Sequence, residues 1–230
     1  MPRKTFDREL RGLQDELLAV GDMVEKAIID SVETFRHRDQ EAARHLIAGD
    51  LIINEKRYAI EAEALTLIAR QQPMAGDLRT IFTMLEIATE LERMADYAKG
   101  IAKINLLLRD EPLLEPFVQI HHMAEKARDM LHGALEAFER RDAALARAVS
   151  AKDDEMDALH NQIYRDLLTF TTADGAAVDQ ATQLLWVVHN LERVADRAIN
   201  ICERVVFTVT GELVELDTDD GEAAGMAGVL

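Results

Sequence analysis

The sequence predicts an all-helical protein made of two tandem antiparallel three-helix bundles. Three observations carry this expectation. Only four prolines and eleven glycines interrupt 230 residues rich in Ala, Leu, Glu and Arg, and no stretch sustains strand alternation. A six-residue string occurs twice, as Leu91-Glu92-Arg93-Met94-Ala95-Asp96 and Leu191-Glu192-Arg193-Val194-Ala195-Asp196. Phe35-Arg36-His37-Arg38-Asp39 is echoed by Phe138-Glu139-Arg140-Arg141-Asp142, and the same offset of 103 aligns Ala43-Arg44 with Ala146-Arg147, Ala48 with Ala151 and Asp50 with Asp153. The chain reads as an internal duplication.

The breaks set six helices, over residues 5–37, 40–70, 77–108, 116–140, 143–170 and 177–209. Asp39 and Asp142 are candidate N-caps opening the second and fifth, because a short carboxylate can accept from amides left free at a helix start. Pro73-Met74-Ala75-Gly76 and Ala173-Asp174-Gly175 have turn composition and close the second and fifth. Rods of about 30 residues reach about 45 Å, and short loops make successive rods antiparallel. The later string has an offset of 100, so three residues are missing from the second copy, and Gln71-Gln72-Pro73 has no counterpart there. Segment 109–116, Arg-Asp-Glu-Pro-Leu-Leu-Glu-Pro, is the joint between copies. The expected organisation is a first bundle over 1–110, a second over 111–210 and an acidic flexible tail over 211–230, which holds six acids and no base.

Charge narrows the classes of partner. Lys and Arg total 26 against 43 Asp and Glu, a formal charge of -17 that opposes close contact with nucleic acid or anionic lipid. Cys202 stands alone, so no disulfide forms within the chain and a reducing compartment is the default. The start of the chain has no apolar signal region, and no run approaches the roughly 18 apolar residues of a membrane span. The expected location is the cytoplasm.

The acids are the best lead to chemistry. In each repeated string a Glu and an Asp stand four residues apart, side by side on a helix face. A helical wheel sets Leu78, Ile81, Phe82, Leu85, Ala88 and Ala95 on one apolar stripe with Glu92 and Asp96 inside it. Leu185, Val188, Ala195 and Ile199 likewise enclose Glu192 and Asp196. In the middle helices Asp50 lies on the stripe of Leu46, Ile53, Ile60 and Leu67 with Asn54 at its edge, and the second copy has Asp153 with Asp157. Carboxylates among apolar groups need compensation. Asp50, Asn54, Glu92 and Asp96 in the first copy, and Asp153, Asp157, Glu192 and Asp196 in the second, are therefore candidate ligands for Mg, Mn, Fe or Zn ions. The competing reading is that Arg93, Arg193, Lys99 or Arg197 neutralises them in ordinary salt bridges.

Other motifs carry less. His121, His122, His132 and His189 recur in no common register and read as surface or packing residues. Asp157 and His160 give one acid-x-x-His spacing, but the first copy has Asn54 and Arg57 there, which argues against a ferritin-like di-metal enzyme. Phosphate-cradling and nucleophile-elbow motifs are absent, and Cys202 has no neighbouring base in sequence. The expectation is no enzyme. The alternatives are a metal-dependent carboxylate-bundle enzyme and a metal-free helical docking protein.

The paired strings, Arg70-Gln71-Gln72-Pro73 leading into Asp77-Leu78-Arg79, and Asn200-Ile201-Cys202-Glu203-Arg204-Val205-Val206-Phe207 together resemble the PhoU family across residues 1 to about 210. The resemblance implies two three-helix bundles, a homodimer, and metal bound by an acid-x-x-x-Asp motif. That motif falls on Glu92 with Asp96, Glu192 with Asp196 and Asp153 with Asp157; Asn54 leaves the Asp50 half-site one charge short. It also implies a negative regulator of phosphate uptake and phosphate-starvation signalling, coupling the ATPase subunit of the phosphate ABC transporter to a sensor histidine kinase. Such an adaptor sits peripherally at the inner face of the membrane through its partners, without inserting.

Overall fold

A computed structural model of the chain describes residues 2–108, 117–173 and 177–216. Among these residues the chain forms seven helices: α1 (Pro2–His37), α2 (Gln40–Gln71), α3 (Gly76–Leu107), α4 (Phe117–Arg140), α5 (Ala143–Ser150), α6 (Asp153–Ala173) and α7 (Ala177–Thr210). The joint at 109–116 and the Asp174-Gly175 part of the later turn lie outside the described residues.

The echoed Phe-x-x-Arg-Asp segment builds the same corner twice. At the end of α1 the Arg38 amide donates to Phe35 O and the Asp39 amide to Thr34 O; at the end of α4 the Arg141 amide donates to Phe138 O and the Asp142 amide to Ala137 O. This is the Schellman pattern, with an arginine at φ 53° in both copies where glycine is more usual. The next residue starts a new helix. Asp39 accepts from the Ala42 amide at 2.9 Å, and Asp142 accepts from the Ala144 and Leu145 amides. Both expected N-caps are present, and each corner folds the chain back within two residues.

The expected fifth helix is two helices. After Ser150 the Ala151 amide reaches Arg147 O and the Lys152 amide reaches Val149 O, which closes α5. Asp153, Asp154 and Glu155 then crowd the first turn of α6, where negative charge complements the free amides of a fresh N-terminus. No glycine or proline marks this break, so the acidic triplet was its only sequence signal.

Packing gives two three-membered bundles that share one core. Helices α1, α2 and α3 pack together; α4 and α7 pack with the broken α5/α6 rod; α3 lies along α7, and α1 along α4. Phe35 stacks on Phe117 with centroids 5.6 Å apart across the α1–α4 seam. Contacts between α3 and α7 descend one helix as they climb the other: Phe82 with Phe207, Glu86 with Arg204, Glu90 with Asn200, Tyr97 with Arg193. With the offset of 100, exchanging the copies maps Glu90 and Asn200 onto Asn190 and Gly100, and those two also meet: a Cβ on Gly100 would sit 3.3 Å from Asn190 Oδ1. The two inner helices are therefore related by an approximate two-fold axis.

Of the expected tail over 211–230, residues 211–216 are described, and they run back along the bundle. Gly211 takes φ 82°, a left-handed value that glycine adopts without strain, and turns the chain out of α7. The Leu216 amide then donates to Glu203 Oε1 at 2.9 Å, while Val214 and Leu216 rest on the core. Residues beyond 216 lie outside the described set.

Candidate carboxylate site

The candidate residues of the first copy come together around a lysine. Asp50 on α2 is 6 % exposed. Its Oδ2 accepts from Lys99 Nζ at 2.6 Å and from Asn54 Nδ2 at 3.3 Å, and Lys99 also reaches Asp96 Oδ1 at 3.1 Å. The ammonium thus bridges α2 and α3 and supplies positive charge between two of the acids. The hydrogen bond to Asp50 and the charge of both carboxylates raise the Lys99 pKa against the cost of burial. Asp50 Oδ1 is enclosed without a hydrogen-bond partner.

The wheel placed Glu92 and Asp96 inside the buried stripe, and the fold corrects this. Asp96 is exposed and Glu92 half-buried, while Leu78 and Phe82, assigned to the same stripe, are exposed as well. The reason is the number of neighbours. Helix α3 is walled by α1, α2 and α7, so its buried face is broad and centred on Met84, Ile87, Leu91, Met94 and Ala98. In the second copy Asp153 and Asp196 are half-buried and Asp157 is exposed. Glu192 is paired with His189 at 3.2 Å.

Sequence reasoning missed the buried acid of α3, Glu90, which is 8 % exposed. It accepts from Arg93 at 2.7 Å on its own helix and from Arg197 and Asn200 of α7 at 3.5 and 3.4 Å. Its signal was present. Glu90 lies three residues after Ile87 and four before Met94, both fully buried, so it had to face inward. Two of the four bases named as neutralisers serve Glu90, Lys99 serves Asp50 and Asp96, and Arg193 Nε donates to the Tyr97 hydroxyl.

Two histidines stand beside acids across the α1–α4 seam. His121 lies 3.1 Å from Glu33 and His132 lies 3.1 Å from Glu25, both linking α4 to α1. Burial raises the Glu25 pKa, and His132 opposes the shift. Among the described residues no three His, Cys, Asp or Glu side chains gather closely enough to hold an ion. The first-copy set does not fit a preformed metal site, since its cation is Lys99. At the position equivalent to Lys99 the second copy has Ile199, which is buried and brings no charge. Among the described residues no helix is long and apolar enough to cross a membrane.

Comparison with known proteins gives one consistent result. The PhoU domain family matches residues 17–104 and again residues 120–205. A phosphate-specific transport system accessory protein PhoU homolog of Clostridium acetobutylicum is 38 % identical over 218 residues, covering 94 % of this chain and all of the relative. The homolog of the same name from Aquifex aeolicus is 35 % identical over 208 residues, covering 90 % of this chain and 94 % of the relative. The crystal structure of the phosphate transport system regulatory protein PhoU from Streptococcus pneumoniae superposes with a TM-score of 0.85 at 33 % identity, over 91 % of this chain and 99 % of that one. PhoU from Pseudomonas aeruginosa gives 0.85 at 33 % identity, over 90 % and 100 %.

Proposed function

Because this chain belongs to the PhoU family, we propose that it is a regulatory accessory protein of phosphate transport, acting by docking and not by catalysis. The observation that carries the reading is that the likeness runs through both repeats and over 94 % of the chain to a relative bearing that role in its name. In this reading the chain is a cytoplasmic homodimer that couples the ATPase subunit of the phosphate transporter to a sensor kinase and holds starvation genes off when phosphate is plentiful. Its acidic surface suits basic faces on those partners. Deleting the gene should derepress phosphate-starvation genes in high phosphate, and a tagged chain should retain the ATPase subunit and the kinase. Unchanged expression overturns the regulatory role; loss of one partner alone overturns the coupling.

Metal enters this proposal through the second copy. Asp153, Asp157, Glu192 and Asp196 would supply oxygen ligands, and a bound ion there would supply positive charge joining α6 to α7. The acid-x-x-x-acid spacing is complete on both helices of this copy, whereas the first copy has Asn54 in one of them. A metal-free docking protein is the second reading, favoured by the Lys99 bridge in the first copy. Elemental analysis of the purified chain separates them: metal lost from Asp157→Ala and Asp196→Ala supports the first, and none in the parent protein supports the second.

A further inference from the structure

Between α1 and α2, next to their shared corner, the structure holds a cleft of about 620 Å³. Sites for small molecules commonly enclose roughly 300–1,000 Å³. Its walls are apolar, from Met23, Ala27, Ala42, Leu46 and Ile53, and Ala95 of α3 reaches it from behind. Its polar groups are mostly acids. Asp30, Glu33, Asp39 and Asp50 all line it, against the single ammonium of Lys26, which pairs with Asp30, and the rings of His37 and His45. Glu33 stands beside His37 and, outside the cleft, His121. Asp50 is 6 % exposed; its Oδ2 is taken by Lys99 and Asn54, and its Oδ1 is enclosed with no hydrogen-bond partner. A buried acceptor left in this state gains from any donor that reaches it.

The duplication provides an internal control. At the offset of 103, Ala27 and Ala42 correspond to Met130 and Leu145, and the larger side chains fill the space: Met130 is buried and Leu145 packs on the core. Asp30 and Leu46 correspond to Gly133 and Val149, and Val149 presses against α4 at that glycine. The bundle fold therefore closes this cleft where the sequence lets it. In the first copy small residues and an acid keep it open.

We propose that the cleft binds a linear aliphatic polyamine, with its methylenes along the apolar walls and its ammonium groups on the acids. The order of the acids selects this chemistry. Counted along the two helices from the corner at Arg38 and Asp39, Glu33, Asp30 and Asp50 lie about 8, 13 and 17 Å away, in steps of about 4–8 Å. Spacers of three or four methylenes put successive nitrogens about 5–6 Å apart at ordinary bond lengths. A lone metal ion would leave the apolar walls unused, and among the described residues no three His, Cys, Asp or Glu side chains converge on one point. A single lysine from a partner would meet one acid of the series. Charge repeated along an alkyl chain meets them all.

Isothermal titration of the full chain with spermidine tests this, at about 0.15 M salt so that diffuse attraction to the acidic surface is screened. One saturable site is expected. Ala27→Met combined with Ala42→Leu keeps every charge and installs the residues that the second copy carries at these positions; it should weaken binding at least tenfold. Asp50→Asn, which keeps the outline of the side chain, should do the same. Circular dichroism checks both folds, and if Asp50→Asn does not fold the filled variant decides. Equal affinity in the parent and the filled variant shows attraction to the surface at large and overturns the site, as does a parent with no saturable binding. Displacement of spermidine by equimolar magnesium overturns it in favour of a metal.

Discussion

Lys99 on α3 lies 2.6 Å from Asp50 on α2, and this bond ties the two helices at a carboxylate that has almost no contact with water. Replacing Lys99 by Met strands the Asp50 charge. The loss should be about 2–3 kcal/mol in urea unfolding at neutral pH, the lower range for a broken buried pair because the lysine head keeps some solvent. Its folded pKa is raised above the ordinary value near 10.5, so the bridge contributes fully below the unfolded-state pKa and is lost as pH rises through the folded one. From neutral pH to about pH 10 the stability gap between the parent and Lys99→Met should hold constant, and above that it should narrow. A gap that widens there contradicts the assignment.

Glu90 should behave as the keystone of the α3–α7 contact. Glu90→Ala removes the acceptor shared by Arg93, Arg197 and Asn200 and is expected to cost about 2–3 kcal/mol. Glu90→Gln keeps an acceptor for Asn200 and should cost less. Equal losses in the two variants, measured by denaturant unfolding, would show that the charge has no part in it.

Two glycines predict opposite signs for the same substitution. A Cβ on Gly49 meets nothing within 4 Å, so Gly49→Ala should stabilise by about 0.5–1 kcal/mol through helix propensity. A Cβ on Gly133 would stand 2.6 Å from Val149 Cγ2, on a stiff β-branched side chain where α4 meets α5. Gly133→Ala should destabilise by about 1–2 kcal/mol net. Thermal midpoints of the two variants should move in opposite directions.

The Cys202 thiol should be unreactive in the folded protein. It is fully buried, and burial pushes its pKa up to about 12. Alkylation at pH 8 is expected only after unfolding, with one equivalent taken up in denaturant. Rapid labelling of the native chain would show that α7 opens locally.

Most of the fold could be read from residue order because its cues are local. Asp39 and Asp142 announce their helix starts through short side chains beside free amides, and the repeated Phe-x-x-Arg-Asp segment forms the same corner wherever it occurs. The break at Ala151 escaped notice because it arises from the competition between continuing a helix and capping a new one with Asp153 and Asp154. The candidate site was legible in part. Asp50 was placed in the interior by its spacing from Ile53 and Ile60, and Lys99 was among the bases named as its neutraliser. Asp96 is exposed where the wheel buries it, and Glu90 is a buried acid that the wheel leaves unnamed, because a wheel assumes one buried face whereas α3 has neighbours on three sides. How many helices surround a rod is a property of the assembled bundle and not of the rod.

The approximate two-fold axis between α3 and α7 also says what a half-molecule would be. Cut between α3 and α4, the first fragment would leave Thr83 and Glu90 facing water where Thr208, Arg197 and Asn200 now stand. Neither half has a finished outer skin on that side. Each needs the other as its missing wall, so the covalent link joins two pieces that would seek one another even when made as separate chains.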